Sequence, residues 1–317
     1  MSYINLLILS VILVGCGLDN HSNTGKEKKE VIIEHYNITV SSDLSNRLNQ
    51  KLYPKAVSDA EIVNIIGMNI YPKILGHKRA MNQLDQFRVD FINKKQISAY
   101  RVNTKNLEID FSRFKLQAER IQYLRDSFQG DERRFESEFL KAQDKAIKNP
   151  FGSDIWTYMQ QGVDGFIVNN EQHLTKGSLF DYKNTYKNVL IVLTDGYIEA
   201  GILDEDYDLS GKKINAFRKE FLASGDKDIQ TFYKKNPKYR IHKLANPLLK
   251  NLEVLVLELY DRTETNTGAS IHPTDLEIMK LIWSDWLKCS GVKRLELYPK
   301  FSNKAEAEKV IFKFLGV

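Results

Sequence analysis

Two stretches of the chain share one pattern, a β-branched apolar run that ends in a short polar loop carrying an aspartate. The first is Ile38-Thr39-Val40-Ser41-Ser42-Asp43-Leu44-Ser45-Asn46-Arg47, and the second is Val189-Leu190-Ile191-Val192-Leu193 running into Thr194-Asp195-Gly196. Continuous apolar runs of this kind predict strands buried on both faces, as in a parallel sheet. Further strands are expected at Phe87–Ile92, Ile97–Val102, Leu252–Leu259 and Lys293–Tyr298.

Helical spacing is expected between them. Asn46–Leu52 opens a helix that Pro54 interrupts, and the periodicity resumes at Ala60–Ile66. Residues 112–147 read as an amphipathic pair broken at Gly130-Asp131, with Phe114, Ala118, Ile121, Leu124 and Phe128 on one apolar stripe. Pro150 and Gly152 force a loop, Ser153 or Asp154 caps the aromatic helix that follows, and Asp275–Cys289 and Asn303–Leu315 are the last helices. Strands alternating with helices give an α/β class: a doubly wound, mainly parallel sheet with helices on both faces and helical insertions. In such sheets a ligand sits at the carboxyl ends of the strands, where the winding reverses. That rule makes the loops around Asp43 and Asp195 the expected crevice. The charged excursion 197–250 leaves the second of these strands and is expected on its rim.

The amino terminus is of another kind. Ile4 to Gly15 is almost wholly apolar, shorter than the roughly 20 residues that span a bilayer. It ends Leu13-Val14-Gly15-Cys16, which resembles the lipobox of bacterial lipoproteins, although Met1–Asn5 holds no lysine or arginine. The resemblance implies cleavage before Cys16, acylation of its thiol and a place in the bacterial cell envelope, periplasmic or surface-facing. Residues 1–15 are then a signal peptide, the polar residues 16–33 a flexible tether, and 34–317 one folded domain. With Cys16 acylated, Cys289 has no disulfide partner, and its spacing from Ile282 and Trp286 predicts a buried, inert thiol.

Charge narrows the partners. The chain has 46 basic and 41 acidic residues in 317, a net +5 spread along its length, which argues against nucleic acid. There is no His-Glu-x-x-His, phosphate-binding loop, Gly-x-Gly-x-x-Gly or Gly-x-Ser-x-Gly, so no catalytic motif is present. In the acidic run Asp204–Gly211 the glycine comes too late for a calcium loop, and position twelve is Asn215 in place of glutamate. Ser270 near His272 lacks a nucleophile elbow.

The three loops resemble the metal-ion-dependent adhesion site of the von Willebrand factor A domain family. Asp43-Leu44-Ser45 matches the start of its Asp-x-Ser-x-Ser motif, Ser153 stands where the family has a threonine, and Thr194-Asp195-Gly196 matches the third loop. The resemblance implies that Asp43, Ser45, Ser153 and Asp195 hold a divalent cation, Mg²⁺ or else Mn²⁺ or Ca²⁺, through oxygen donors. It also implies a protein partner that donates an acidic side chain. The second serine of the motif is Arg47 here, a group that swings to solvent or faces an anionic ligand in place of the metal. Asn46, Arg47 and Asp154 are candidate ligand contacts. Read singly, these residues are also ordinary caps and turns. A second function class stays open: a metal-dependent hydrolase, with Glu199 or His173 as its base.

Overall fold

The computed structural model describes residues 29–176, 180–199, 207–265, 268–269 and 271–317. The signal peptide, Cys16, the acidic residues 204–206 and Ser270 lie outside the described residues.

Nine strands are described: β1 (Lys29–Ser42), β2 (Gln86–Phe91), β3 (Glu108–Asp110), β4 (His173–Lys176), β5 (Phe180–Leu193), β6 (Leu252–Leu259), β7 (Glu264–Thr265), β8 (Gly268–Ala269) and β9 (Arg294–Pro299). Seven of them make one sheet in the order β3-β2-β1-β5-β6-β9, with β4 beside the first half of β5, while β7 and β8 form a separate small hairpin. β1, β2, β5, β6 and β9 run parallel; β3 and β4 are antiparallel additions. The sheet is the expected doubly wound one. From β1 the chain winds towards β2, from β5 towards β6 and β9, so the reversal falls between β1 and β5.

The burial follows from the apolar runs. Val189, Ile191 and Leu193 face one core with Ile38, Val40, Leu255 and Leu257, and Leu190 and Val192 face the other with Val254 and Val256. The first core is covered by α1 (Asp59–Met68), α4 (Phe128–Lys148) and α9 (Lys304–Leu315). The second is covered by the segment 155–168 and by α6 (Gly211–Ser224), α7 (Ile229–Lys235) and α8 (Asp275–Cys289). α8 starts where Thr274 and Glu277 form a capping box, and it buries Ile278, Met279, Ile282, Trp283, Trp286 and Leu287 at helical spacing. α1 has the same reciprocal cap from Ser58 and Glu61.

Several expectations are corrected. Residues 29–33 are strand paired with Phe180–Asn184, not tether. Ile97–Val102 is no strand: α2 (Lys94–Ala99) covers its first half, because Ile97 and Tyr100, three apart, point inward. In the helix pair, α3 (Gln117–Asp126) and α4 break at Ser127 instead of Gly130, and α3 buries Arg120 and Tyr123 while Ile121 is exposed. Asn46–Leu52 yields only a 3-10 turn at Asn46–Leu48. Cys289 is exposed, although Ile282 and Trp286 beside it are buried. The excursion 197–250 mostly packs under the sheet: Ile214, Phe217, Phe232 and Tyr239 belong to the second core, and of the described residues only Tyr197 and Glu199 reach the crevice.

Candidate functional site

The carboxyl ends of β1 and β5 open into a cleft of about 220 Å³ whose walls include Asp43, Ser45, Arg47, Ser153, Asp195, Tyr197, Glu199 and Arg262. β1 delivers Asp43 directly, since the Asp43 N–H continues the ladder to the Leu193 carbonyl at 2.9 Å. The next loop turns on Asp43 itself: its Oδ1 accepts the Ser45 N–H at 2.9 Å. Its Oδ2 accepts from the Thr194 hydroxyl at 3.1 Å. The third loop arrives through Ser153, whose hydroxyl donates to Asp43 Oδ1.

Asn93, just past β2, ties these loops together. Its amide oxygen accepts the Leu44 N–H at 3.0 Å, and its Nδ2 donates to the Gly152 carbonyl at 2.7 Å. Those two bonds fix which end of the amide faces inward, so its Oδ1 lies 2.9 Å from the Ser153 hydroxyl oxygen. Three oxygens, from Asp43, Ser153 and Asn93, therefore meet with one hydroxyl proton between them.

Asp195 stands across the cleft on the turn after β5. The Tyr197 N–H reaches its Oδ1 at 3.2 Å, and Arg262 Nη2 lies 3.4 Å from its Oδ2. Burial, and next the charge of Asp43, push the Asp195 carboxyl up to about 6, against the pull of Arg47 and Arg262. Arg262 lies at the mouth, over the Tyr197 ring with 3.6 Å from the guanidinium carbon to the centroid.

Arg47 does not swing out to solvent; its buried side chain lines the cleft. It is buried and paired with Asp59 at the start of α1, while its Nε donates to the Asp43 carbonyl at 2.9 Å. Asp59 also accepts from Ser42 at 2.9 Å and pairs with Lys55, which reaches Glu258 at 3.0 Å. Burial alone would raise the Asp59 carboxyl, but Arg47 and Lys55 outweigh it and hold it well below the usual range.

The structure thus brings Asp43, Ser45, Ser153 and Asp195 to one cleft. Asn46 is exposed on its wall. Asp154 instead caps the short helix α5 (Ile155–Thr157), accepting the Thr157 N–H at 2.9 Å, and it lines an adjoining cleft of about 480 Å³. That cleft shares Gly152, Ser153 and Glu199 with the first. His173 is exposed on β4 opposite Asn184, about 30 Å down β5 from Leu193 at roughly 3.3 Å per residue. It cannot serve this site as a base. Asn93, Asp59 and Arg262 are the site residues that pattern reading missed. Asn93 and Arg262 carry the same signal as Asp43, a polar residue just beyond the end of a parallel strand.

The donor set suits a hard cation. Converging hydroxyl, amide and carboxylate oxygens short of protons, with the Asp43 charge raising the cost of ionising Asp195, are what a divalent ion relieves. Among the described residues no three His, Cys, Asp or Glu side chains cluster to hold a metal, so an ion here depends on Ser45, Ser153 and Thr194 for the rest of its oxygens. Also among the described residues, no helix is long and apolar enough to cross a membrane. No protein-family model matches the chain, and no curated protein matches its sequence.

Proposed function

We propose that the chain is an envelope lipoprotein whose α/β domain, of the von Willebrand A type, binds a protein partner through the cleft between the Asp43, Ser153 and Asp195 loops. The observation that carries this reading is the meeting of the Asp43, Ser153 and Asn93 oxygens around a single proton, with Asp195 raised to about 6 beside them. Asp43, Ser45, Ser153 and Asp195 would hold Mg²⁺, Mn²⁺ or Ca²⁺ there. When bound, the ion supplies an electrophilic point for a carboxylate oxygen of the partner. Tyr197 holds Arg262 at the mouth, where its charge favours an acidic side chain. Cys16, acylated, would anchor the protein to a membrane through about 0.8 kcal/mol per buried methylene.

Thermal unfolding with chelator and then with each ion tests the site. An ion that binds only the folded chain adds about 2.7 kcal/mol at a hundred times its dissociation constant. A shift that Asp43→Ala removes supports the reading, and no shift with any ion sinks the metal-assisted form of it. Membrane fractionation of Cys16→Ser tests the anchor, which fails if the variant stays in the membrane. The second reading, a metal-dependent hydrolase, is favoured only by the place of Glu199, a candidate general base, on the cleft wall.

A further inference from the structure

On the face of the domain covered by α7 and α8 lies an open groove of about 550 Å³, bounded by these two helices and the segment after α7. Its floor is apolar, made by Ile229, Leu281 and the buried ring of Tyr233. Its banks are cationic. Lys280 and Lys288 project from α8, eight residues and therefore about 12 Å apart along one helix ridge. Lys234 and Arg240 face them from the other bank.

None of these four cations lies within ion-pair distance of a carboxylate among the described residues. The groove's two acids each hold a hydrogen bond: Glu277 accepts the Thr274 N–H at 2.7 Å in the α8 cap, and Asp285 accepts the Tyr233 hydroxyl at 2.9 Å. That second bond ties α7 to α8 beneath the groove and fixes its width. Four basic side chains and two acidic ones line this apolar trough, a local excess of positive charge.

We propose that this groove docks a short acidic, amphipathic segment of a protein partner, apolar side chains on the floor and carboxylates towards the two banks. Charge complementarity selects an anionic occupant. The apolar floor and the two carboxylates in it disfavour a uniformly anionic polymer or a phosphate cluster, which would bury charge against Ile229 and Leu281 and meet Asp285 and Glu277. The span from Lys280 to Lys288 matches about two turns of a bound helix, the form in which an apolar stripe and flanking carboxylates fit such a trough.

The test uses the full chain in nonionic detergent and a fluorescent synthetic peptide with leucines at helical spacing and glutamates on both flanks. Its scrambled counterpart, inorganic polyphosphate and anionic lipid vesicles serve as competitors. The expected result is binding that weakens as salt rises, and that falls about tenfold or more in Lys280→Glu with Lys288→Glu. Arg240→Glu alone should weaken it too; Lys288 and Arg240 are exposed and Lys280 half-buried, and a melting temperature close to that of the parent is the check that each charge-reversed variant is folded. Asp43→Ala should bind the peptide as the parent does, which separates this groove from the cation cleft. Failure of the peptide to bind overturns the proposal, as does binding indifferent to the charge reversals or lost in Asp43→Ala. Polyphosphate or vesicles displacing the peptide while the scrambled sequence binds equally well would show an unselective anion patch, and that outcome overturns it as well.

Discussion

Arg47 folds back onto Asp43: its Nε donates to that residue's own carbonyl at 2.9 Å and stands 3.7 Å from its Oδ2. The guanidinium thereby lies beneath the cleft, between Asp43 and Asp59, and lends positive charge to the carboxylates from below. Truncating it leaves Asp59 buried with only Lys55 to offset it. Arg47→Ala should therefore cost about 3 to 5 kcal/mol in urea unfolding, the usual result of removing one partner from a buried pair. Arg47→Met combined with Asp59→Leu should cost much less than Arg47→Ala, because it leaves neither charge stranded. Equal losses in the two variants would mean that Arg47 acts through packing alone.

Asp195 gives the domain a pH signature of opposite sign to that of Asp59. Its folded pKa is raised from 3.8 to about 6, so the folded chain holds this proton more tightly than the unfolded one. The ionised form is penalised in full above about 6, and the penalty is relieved as pH falls from about 6 towards 4. The expected size is about 2 to 3 kcal/mol. Asp59, depressed, contributes stability that is present above the ordinary carboxylate range and lost only in stronger acid. Unfolding free energies in chelator should therefore show a gain on acidification from 7 to 5 that Asp195→Asn abolishes. A bound cation should remove the same gain, since it offsets the Asp195 charge that the proton otherwise discharges. A pH profile identical in Asp195→Asn and parent would refute the assignment.

Ser153 separates the stability of the site from its binding. Ser153→Ala removes the one proton shared by Asp43, Ser153 and Asn93, yet Asp43 keeps the Ser45 N–H and the Thr194 hydroxyl, and Asn93 keeps Leu44 and Gly152. Stability should fall by only about 1 kcal/mol. Affinity for the cation, read by calorimetric titration, should fall further than that, because a coordinating oxygen is lost. An unchanged affinity would remove Ser153 from the donor set.

The winding of the sheet and the two aspartates were legible because fully buried parallel strands leave continuous apolar runs, as at Val189–Leu193, and because such strands end in polar loops. What lay beyond reach was anything set by a tertiary partner. Arg47 reads as a misfit in a metal motif until Asp59, twelve residues on, is seen to claim it. Ile97–Val102 reads as a short strand, yet the core takes Ile97 and Tyr100 at a helical interval. On α3 the stripe follows Arg120 and Tyr123, since Arg120 caps the Phe114 carbonyl from inside. Alternation and periodicity rank side chains by polarity, and a buried arginine with a partner defeats that ranking.

Gly196 fixes the direction in which Asp195 points. Its φ is +90, and a Cβ there would come within 2.5 Å of Leu259 Cδ2 and 2.9 Å of the Met279 sulfur. Both of these side chains are buried, Leu259 at the end of β6 and Met279 on α8, so neither has space to withdraw. Gly196→Ala combines a left-handed backbone that alanine resists with an overpacked contact, and about 2 to 4 kcal/mol of stability should be lost. The turn also holds the Tyr197 N–H against Asp195 Oδ1, and the Gly196 carbonyl accepts from the Trp283 indole at 2.9 Å. A displaced turn therefore moves the carboxylate as well as straining the core. Cation affinity in Gly196→Ala, measured at a temperature where the variant remains folded, should drop in parallel with its stability. If stability falls while affinity is unchanged, Asp195 is not a ligand and the cation is held from the β1 side alone.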